Sequence, residues 1–219
     1  MAEAIISEEL LALLRQVDTP TVCNAIEVAQ GKRGFNCFTR GTMQHSRPGD
    51  PAIVGFARTA KISGLTAPKE PSDVIRARRM DYFRSMAGGN GPTVAVVEDE
   101  DFPNAIGAFW GEVNTTIHKG FGVAGTLTNG VMRDLGDMAP DYPVVAGSIG
   151  PSHGFVHVTA VNTPVQVFGL RVNPGDLVHA DRHGAVVIPP DVIPDLERAI
   201  HKMQDTEHLV LGPAREAGF

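Results

Sequence analysis

Apolar positions near the start of the chain follow a helical spacing. Leucines at 10, 11, 13 and 14 fall on one side of a helix that Ser7 would cap. A second helix begins at Asp18 or Thr19, carries Pro20 in its first turn and ends at Gly31. Residues 31–50 are rich in Gly, Arg and Pro, which favours a loop.

The rest of the chain alternates between short apolar runs and helical stretches. Apolar runs predict strands within residues 52–63, 92–99 and 123–128. Residues 73–89 predict an amphipathic helix closed by two glycines, and the arginines at 76, 78, 79 and 84 are most simply its solvated face. Residues 108–120 predict a loop that becomes a short helix near Gly111. Further strands are predicted within 143–150, 161–172 and 176–189, and a C-terminal helix within 190–211, where Pro194 marks a kink or the true start.

The order of these elements indicates the fold class. The early strands alternate with helices, whereas the later strands follow one another directly. This order predicts an α/β to α+β fold with a mixed central sheet or a β-sandwich core. The 219 residues suffice for one large domain or two very small ones. We expect one domain over residues 1–219, with helices at both ends.

Composition narrows the function classes. There are 19 Lys and Arg against 25 Asp and Glu, and the resulting net charge of −6 disfavours general binding to nucleic acid. The two cysteines, Cys23 and Cys37, are too few for a disulfide framework. The N-terminus lacks a signal-peptide pattern, and no apolar run is long enough to span a membrane. We therefore expect a cytoplasmic protein.

Arg133 and Asp134 in "GVAGTLTNGVMRDL" are the first candidates for chemistry. If residues 123–128 form a strand and "VMRDLGDM" opens a helix, both side chains lie where α/β proteins collect ligands. A guanidinium matches a carboxylate or an enolate oxygen, and a single carboxylate suits Mg²⁺. Adjacent residues point in different directions, so we expect the pair not to satisfy itself. The alternative is a helix-start Asp beside an exposed Arg.

A second candidate is "AFWGEVN". Gly111 before a helix start would let backbone N–H groups face an anion, with Glu112 in the first turn close to it. The alternative is ordinary placement of an acid in a first helical turn.

A third candidate is the histidine-rich stretch "HADRHGAVVIP". His179, Asp181 and His183 are spaced by two, which on a regular strand would suit Zn²⁺. However, Asp-Arg-His-Gly is typical of a turn between strands, which would spoil that geometry. His153 and His157 form a weaker candidate. The sequence contains no P-loop, GxGxxG, GxSxG or CxxC metal spacing.

Three segments, "DTPTVCNAIE", "WGEVNTTIHKGFGVAGTLTNGVMRDL" and "PGDLVHADRHGAVVIP", resemble the class II pyruvate aldolases typified by 4-hydroxy-4-methyl-2-oxoglutarate aldolase. That superfamily includes the regulator of ribonuclease activity A. The segments span most of residues 18–190, and the middle one is the most specific. The resemblance implies an α/β/β/α layered domain with mixed central sheets, similar to the swivelling phosphohistidine fold. It also implies a homo-oligomer, a trimer or hexamer, with sites at subunit interfaces.

The resemblance assigns roles to individual residues. Asp134 matches the ligand of a divalent metal, Mg²⁺ or Mn²⁺, and Arg133 matches the residue that contacts pyruvate. Glu112 matches an acid that contacts water on the metal. The substrate carboxylate would be held by backbone N–H groups of Gly111, Glu112, Val113 and Asn114.

Two positions depart from the family pattern. Asn129 stands where many members have Asp, and because Asn tolerates the left-handed turn conformation equally well, we interpret it as structural. Characterised aldolases also receive an acid from a neighbouring subunit's C-terminal region. Acids available there are Glu197, Asp205 and Glu207.

The implied activity is metal-dependent retro-aldol cleavage of a 4-hydroxy-2-oxo acid or diacid, which releases pyruvate. Oxaloacetate decarboxylation is expected as a side reaction because it passes through the same enolate. One alternative is a non-catalytic protein that inhibits ribonuclease E by contact, and another is a lyase for a different 2-oxo or sugar acid. The arginines of residues 76–84 would mark either an acidic partner or a second substrate carboxylate, if they are not simply solvated.

Overall fold

The computed structural model describes residues 6–89 and 91–216. The helices of this part are α1 (Glu8–Gln16), α2 (Thr19–Gln30), α3 (Ser72–Ala87), α4 (Glu112–Gly120) and α5 (Ile193–Ala214). The strands are β1 (Gln44–His45), β2 (Ile53–Ser63), β3 (Thr93–Asp99), β4 (Ala108–Trp110), β5 (Val123–Thr128), β6 (Val131–Met132), β7 (Val144–Ala146), β8 (Ser148–Ile149), β9 (His157–Val161), β10 (Val165–Val167), β11 (Leu170–Val172), β12 (Leu177–Asp181) and β13 (Gly184–Ile188).

The two N-terminal helices begin at the predicted caps. The Ser7 hydroxyl accepts a hydrogen bond from Leu10 N at 3.1 Å, and the Asp18 carboxylate accepts one from Thr21 N at 2.9 Å. Gly31, with φ of 65°, ends α2 in the left-handed conformation that glycine adopts without cost. At the other end of the chain, Pro194 lies in the first turn of α5 and marks its start. None of the helices in the described ranges is long and apolar enough to cross a bilayer.

The main sheet is mixed and centres on β2. Its strand order is β1-β7-β5-β3-β2-β12-β13, and β9 also pairs with β2. Strands β2, β3, β5 and β7 are parallel, whereas β12 and β9 run antiparallel to β2. Because β2 is buried on both faces for most of its length, its apolar pattern alternates only weakly. The predicted α/β fold with a mixed sheet is confirmed.

A small parallel sheet of β4, β6 and β8 lies apart from the main one. Sequence analysis predicted a loop at Ala108–Trp110, and this was wrong. Its three side chains are buried, and Trp110 is fully enclosed, so burial rather than alternation holds this strand. The remaining strands, β10 and β11, form an antiparallel hairpin.

Three apolar clusters hold the layers together. One joins α1, α2 and α5 to β12 and β13, with Leu14 and Ile200 among its buried members. A second lies under the hairpin β10–β11. The third contains Tyr82 of α3, Trp110 of β4 and Tyr142, and α4 contributes the buried His118 beside it. The third cluster supports the segments that carry the candidate site.

A helix expected near "TNGVMRDL" is absent. No helix opens at "VMRDLGDM": β6 ends at Met132, and Asp134, with φ of 54°, begins a turn in which its carbonyl accepts from Asp137 N and Met138 N, both at 2.9 Å. Asn129 is structural, as predicted, although its backbone is not left-handed. Its side chain instead accepts from Asp99 N at 2.7 Å and donates to Asp99 O at 3.1 Å, which ties the end of β5 to the end of β3.

Candidate functional site

The two candidate segments leave the small sheet side by side. Strand β4 leads through Gly111 into α4, and its parallel neighbour β6 leads into Arg133 and Asp134. Arg133 N donates to Trp110 O at 2.8 Å, which extends the ladder to the last residue before the turn. The carboxyl ends of parallel strands are where α/β proteins collect ligands, so this edge is the expected place for a site.

Gly111 provides the space that Asp134 occupies. A Cβ built on Gly111 would overlap the Asp134 carboxylate and lie 3.0 Å from Arg133 Cγ. The Gly111 φ of −155° is extended, so space rather than backbone conformation requires glycine here. Glu112 N donates to Asp134 Oδ2 at 3.2 Å. The Asp134 carboxylate therefore lies at the positive N-terminal end of α4.

Arg133 and Asp134 contact each other directly. Arg133 Nε lies 3.4 Å from Asp134 Oδ2, and each side chain is 34% exposed. The expectation that this pair would not satisfy itself was therefore wrong. The left-handed backbone at Asp134 turns its carboxylate back toward α4 and Arg133. The half-buried Asp134 carboxylate therefore contacts both the Arg133 guanidinium and the N-terminus of α4.

Hydrogen bonds fix the first turn of α4. The Thr115 hydroxyl donates to Gly111 O at 2.8 Å and accepts from Ala139 N at 3.0 Å, which links the helix to the turn after Asp134. Asn114 Nδ2 donates to Phe109 O at 2.5 Å, which links the helix to β4. The N–H groups of a first helical turn have no intrahelical acceptors: that of Glu112 is taken by Asp134, and those of Val113 and Asn114 can face an anion.

His118 connects α4 to α3 beneath the site. Its Nδ1 lies 2.6 Å from Asn114 O and its Nε2 lies 2.7 Å from the Tyr82 hydroxyl. Burial lowers the pKa of His118 to about 4, so the ring is neutral at pH 7. A carbonyl can only accept, so Nδ1 carries the proton and Tyr82 donates to Nε2. Burial also raises the pKa of Tyr82, which keeps its hydroxyl protonated as a donor.

A pocket of about 510 Å³ adjoins Arg133, bounded by α3, α4 and residues 153–158; we call it the side pocket. Val113, Asn114 and Arg133 line one wall, and Arg79, His153 and His157 lie in the remainder. Sequence analysis treated Arg79 mainly as solvated and the two histidines as a weak metal candidate. No local spacing joins these residues, because the fold brings them together from distant segments.

The residues present fit a divalent cation that is held largely by water and substrate. Asp134 offers a half-buried carboxylate, and the exposed Glu112 follows Gly111 at the start of α4. Across residues 6–89 and 91–216, no group of three or more His, Cys, Asp or Glu side chains is arranged to hold a metal. This combination suits Mg²⁺ or Mn²⁺, which bind through one or two carboxylates and keep several waters, and disfavours a closed Zn²⁺ site.

The stretch from His179 to His183 is structural in this fold. His179 is buried, with Nε2 2.8 Å from Leu14 O and Nδ1 3.0 Å from the Thr19 hydroxyl. Asp181 accepts from Thr19 N at 3.0 Å and from His183 N at 2.8 Å. The predicted turn between β12 and β13 is confirmed, and these side chains fasten it to α1 and α2.

The arginines of α3 differ from one another. Arg78 is half-buried and donates to Val158 O at 3.2 Å and to Glu70 at 2.6 Å, so for this residue the solvated-face prediction was wrong. Arg84 pairs with Asp81 on the surface. Arg76 is exposed and lies outside the side pocket, whereas Arg79 lines it.

The C-terminal acids are all exposed on α5, whose buried face packs in the cluster with α1 and α2: Glu197, Asp205 and Glu207.

Most of the chain matches a known protein family. Residues 19–187 match the RraA-like family, described as Aldolase/RraA. A putative 4-hydroxy-4-methyl-2-oxoglutarate aldolase of Halalkalibacterium halodurans is 27% identical over 158 residues, which cover 71% of this chain and 69% of that protein. An uncharacterised protein of Methanocaldococcus jannaschii is 30% identical over 105 residues, and the match spans only 50% of its length and 47% of this chain.

Solved structures share the fold at low identity. An uncharacterised protein of Pseudomonas syringae superposes with a TM-score of 0.72 at 20% identity, covering 99% of this chain and 94% of that one. RraAS2 of Streptomyces coelicolor, described as an unusual member of the RNase ES inhibitor RraA family, superposes with a TM-score of 0.68 at 22% identity. That match covers 96% of this chain and 98% of RraAS2. At such identity the likeness concerns the fold alone.

Proposed function

The chain belongs to the RraA-like (Aldolase/RraA) family, and from this premise we propose that it is a divalent-metal-dependent lyase. Its reaction would be retro-aldol cleavage of a 4-hydroxy-2-oxo acid to give pyruvate, with oxaloacetate decarboxylation as a side reaction. The observation that carries the proposal is the contact among Gly111, Asp134 and Arg133 at the start of α4. A helix N-terminus, a guanidinium and a carboxylate meet there beside a pocket.

The residues of the site have distinct proposed roles. The first-turn N–H groups of Val113 and Asn114 would bind the substrate carboxylate, while that of Glu112 holds Asp134, and Arg133 would bind the 2-keto oxygen. Asp134, supported by Gly111, would hold Mg²⁺ or Mn²⁺. When bound, the cation supplies positive charge that stabilises the enolate oxygen as the C3–C4 bond breaks.

The reaction requires one proton to leave the C4 hydroxyl and one to reach C3, and we propose that Glu112 assists this proton transfer. Cleavage removes the proton of the C4 hydroxyl, breaks the C3–C4 bond, leaves its electron pair in the pyruvate enolate and finally places a proton on C3. Glu112 is exposed at the start of α4, where its carboxylate can exchange protons with water. Arg133 would contribute most as negative charge develops on the keto oxygen, because a fixed charge aimed at developing charge needs no reorganisation.

We also propose that the chain forms a homo-oligomer, a trimer or hexamer, in which a neighbouring chain completes the site. Four large apolar side chains on or near the site are between 47% and 61% exposed: Val113, Leu135, Ile149 and Phe155. Exposed apolar side chains beside a charged site favour an interaction surface there. An acid from α5 of a neighbouring chain is one candidate for the completing group.

The experiment that tests the lyase function measures pyruvate release by coupling to lactate dehydrogenase. Oxaloacetate and 4-hydroxy-4-methyl-2-oxoglutarate are supplied with Mg²⁺, with Mn²⁺ or with EDTA. We expect turnover that requires the metal, that is lost in Asp134→Ala, and that falls roughly 100- to 1000-fold in Arg133→Ala.

Asp137→Asn is the matched control, because Asp137 is an exposed acid in the same turn whose side chain lies away from Gly111. This variant should keep full activity. If purified, folded protein turned over neither substrate at any metal concentration, the lyase proposal would be wrong. A non-catalytic, protein-binding role would then take its place.

A further inference from the structure

The side pocket is larger than the pyruvate half of a substrate requires. Its volume of about 510 Å³ lies within the range of roughly 300–1,000 Å³ that is typical of small-molecule sites. Arg133 and Asn114, which belong to the proposed pyruvate site, form one wall. When the pyruvate half of a substrate occupies the proposed pyruvate site, its C4 substituent still needs space. The side pocket is the space adjacent to it.

The charged residues that line the side pocket are all basic. Arg79 and Arg133 line it, together with His153 and His157, and none of its lining residues is an acid. The whole chain, in contrast, carries a net charge of −6. Of the two lining arginines, Arg133 pairs with Asp134 beside the pocket, so an anionic ligand would be attracted chiefly by Arg79.

Two arginines of α3, Arg76 and Arg79, make no ion pair within the described residues, and of these Arg79 lines the side pocket. Arg78 and Arg84 pair with Glu70 and Asp81 at 2.6 and 2.7 Å. Arg79 makes no ion pair within the described part of the chain, and its guanidinium lies 5.6 Å from the centre of the Phe83 ring. Stacking on a ring face orients a guanidinium and leaves its edge free to bind a carboxylate with two N–H groups.

The two histidines are also oriented by backbone carbonyls. His153 Nδ1 lies 2.8 Å from Gly154 O, and His157 Nδ1 lies 2.9 Å from Phe155 O. Because a carbonyl accepts, each Nδ1 carries a proton, and each Nε2 is left for another partner.

Apolar residues complete the side pocket. Ile75, one turn before Arg79 on α3, lies with Phe109 and Phe155 among the lining residues. Methylene groups of a substrate tail would contact these apolar side chains favourably. A second substrate charge placed close to the pyruvate half would have only Arg133 as a cationic partner. The arrangement fits an aliphatic tail that ends in a charged group.

We propose that the side pocket binds a carboxylate at the far end of an extended C4 substituent, with Arg79 as its main cationic contact and His153 and His157 beside it. This inference rests on the lyase function proposed above and narrows its substrate class. The substrate would be a 4-hydroxy-2-oxo acid with an aliphatic tail of several carbons that ends in a carboxylate. Arg79 and the histidines would determine specificity rather than take part in bond cleavage.

The test compares two substrates of equal length, one with a tail ending in carboxylate and one ending in the isosteric carboxamide. We expect Arg79→Gln to lower kcat/KM for the carboxylate about 10- to 100-fold, since a charge-assisted hydrogen bond is lost. The kcat/KM for the carboxamide should stay within about twofold, because a neutral tail gains little from the guanidinium. Arg76→Gln, on the same helix but outside the side pocket, should change neither.

An equal loss with both substrates, or no loss with either, would overturn the proposal. Calorimetric titration with glutarate measures binding without turnover. It therefore separates failure of the proposed carboxylate site from failure of the lyase function. If neither substrate reacts but Arg79→Gln still weakens glutarate binding about tenfold or more, the anion site stands and the lyase function fails. If glutarate does not bind, or binds both proteins equally, the side pocket is not a carboxylate site.

Discussion

At Gly111 a single missing side chain decides whether the site can form. A Cβ there would occupy the place of the Asp134 carboxylate, which lies against the start of α4. The sequence pairs Gly111 with Glu112 and Arg133 with Asp134, but no local spacing indicates that the two pairs are in contact. The candidate residues were therefore predictable, whereas the overlap that requires glycine was not.

Gly111→Ala should consequently abolish most of the proposed activity while leaving the fold intact. We expect kcat/KM for oxaloacetate decarboxylation to fall on the order of 100-fold or more, as typically follows displacement of a preorganised charge. The control is Gly136→Ala, since a Cβ at Gly136 meets nothing within 4 Å. Equal activity of the two variants, with matched circular dichroism spectra, would show that the contact with Asp134 is dispensable.

Asp99 is a second residue whose role depends on its surroundings. It is 1% exposed, its Oδ2 has no partner within the described residues, and burial raises its pKa to about 6, reinforced by the nearby charges of Asp101 and Glu100. The folded protein thus binds this proton more tightly than the unfolded chain does. Stability should therefore fall as pH rises from about 4 to about 6, and the full penalty remains at higher pH.

Asp99→Asn should relieve this penalty. We expect the variant to be more stable than the wild type by on the order of 2 kcal/mol at pH 8, and by clearly less at pH 5. Urea unfolding at both values measures the difference. Asp101→Asn provides a comparison of opposite sign: although burial acts to raise the Asp101 pKa, hydrogen bonds from Gly64 N, Leu65 N and Ser63 lower it. Its loss of stability should be largest at neutral pH, and a pH-independent effect of Asp99→Asn would refute the assignment.

Among the elements, those whose signal is local were predicted well. The caps of α1 and α2 follow from hydrogen bonds between residues close in the chain, and α4 begins after the predicted Gly111, which makes no side-chain cap bond. The helix expected after Arg133 does not form, because Asp134 is left-handed and its carbonyl is engaged in a turn. Strand β4 was missed because three buried residues carry no periodicity.

The contact between α3 and α4 is an element-scale feature that sequence patterns do not reveal. Tyr82 donates to the neutral His118, and this bond fixes the helix that carries Arg79 relative to the helix that begins at Gly111. Tyr82→Phe would leave His118 Nε2 buried without a donor. We expect a loss of about 1–3 kcal/mol in unfolding free energy, the usual cost of an unsatisfied buried group.

Chemical denaturation of Tyr82→Phe and Tyr142→Phe tests this expectation with a matched pair. The Tyr142 hydroxyl is equally buried but is paired with the Thr126 hydroxyl at 2.9 Å, which can rotate to seek another partner. The Tyr142 variant should therefore lose less stability. If both variants lose the same amount, the His118 bond has no special part in holding α3 against α4.

On the scale of the whole molecule, two groups of helices pack against different parts of the main sheet. Helices α1, α2 and α5 close around β12 and β13, where the side chains of the histidine-rich turn fasten elements together. Helices α3 and α4 and the small parallel sheet belong to another cluster, and the candidate site and the side pocket lie beside it. The α/β class was predictable from element order, but the division of the molecule was not, since it depends on contacts between distant segments.

This division predicts where copies of the chain should meet. Ile149 on β8 is 51% exposed on the small sheet that carries the site, whereas Val28 is 38% exposed on α2, in the other group of helices. We expect the wild type to sediment as a multiple of three of the 23.3 kDa chain. Ile149→Asp should shift it toward the monomer, because burying an unpaired charge in an interface is costly.

Pyruvate release by the same samples connects assembly to the site. If a neighbouring chain completes the site, activity should fall in Ile149→Asp in proportion to the loss of oligomer, and Val28→Asp should keep both. A monomeric wild type that is fully active would contradict the proposed assembly. An Ile149→Asp variant that remains assembled but loses activity would instead assign Ile149 to the site itself, because β8 pairs with the strand that leads into Arg133.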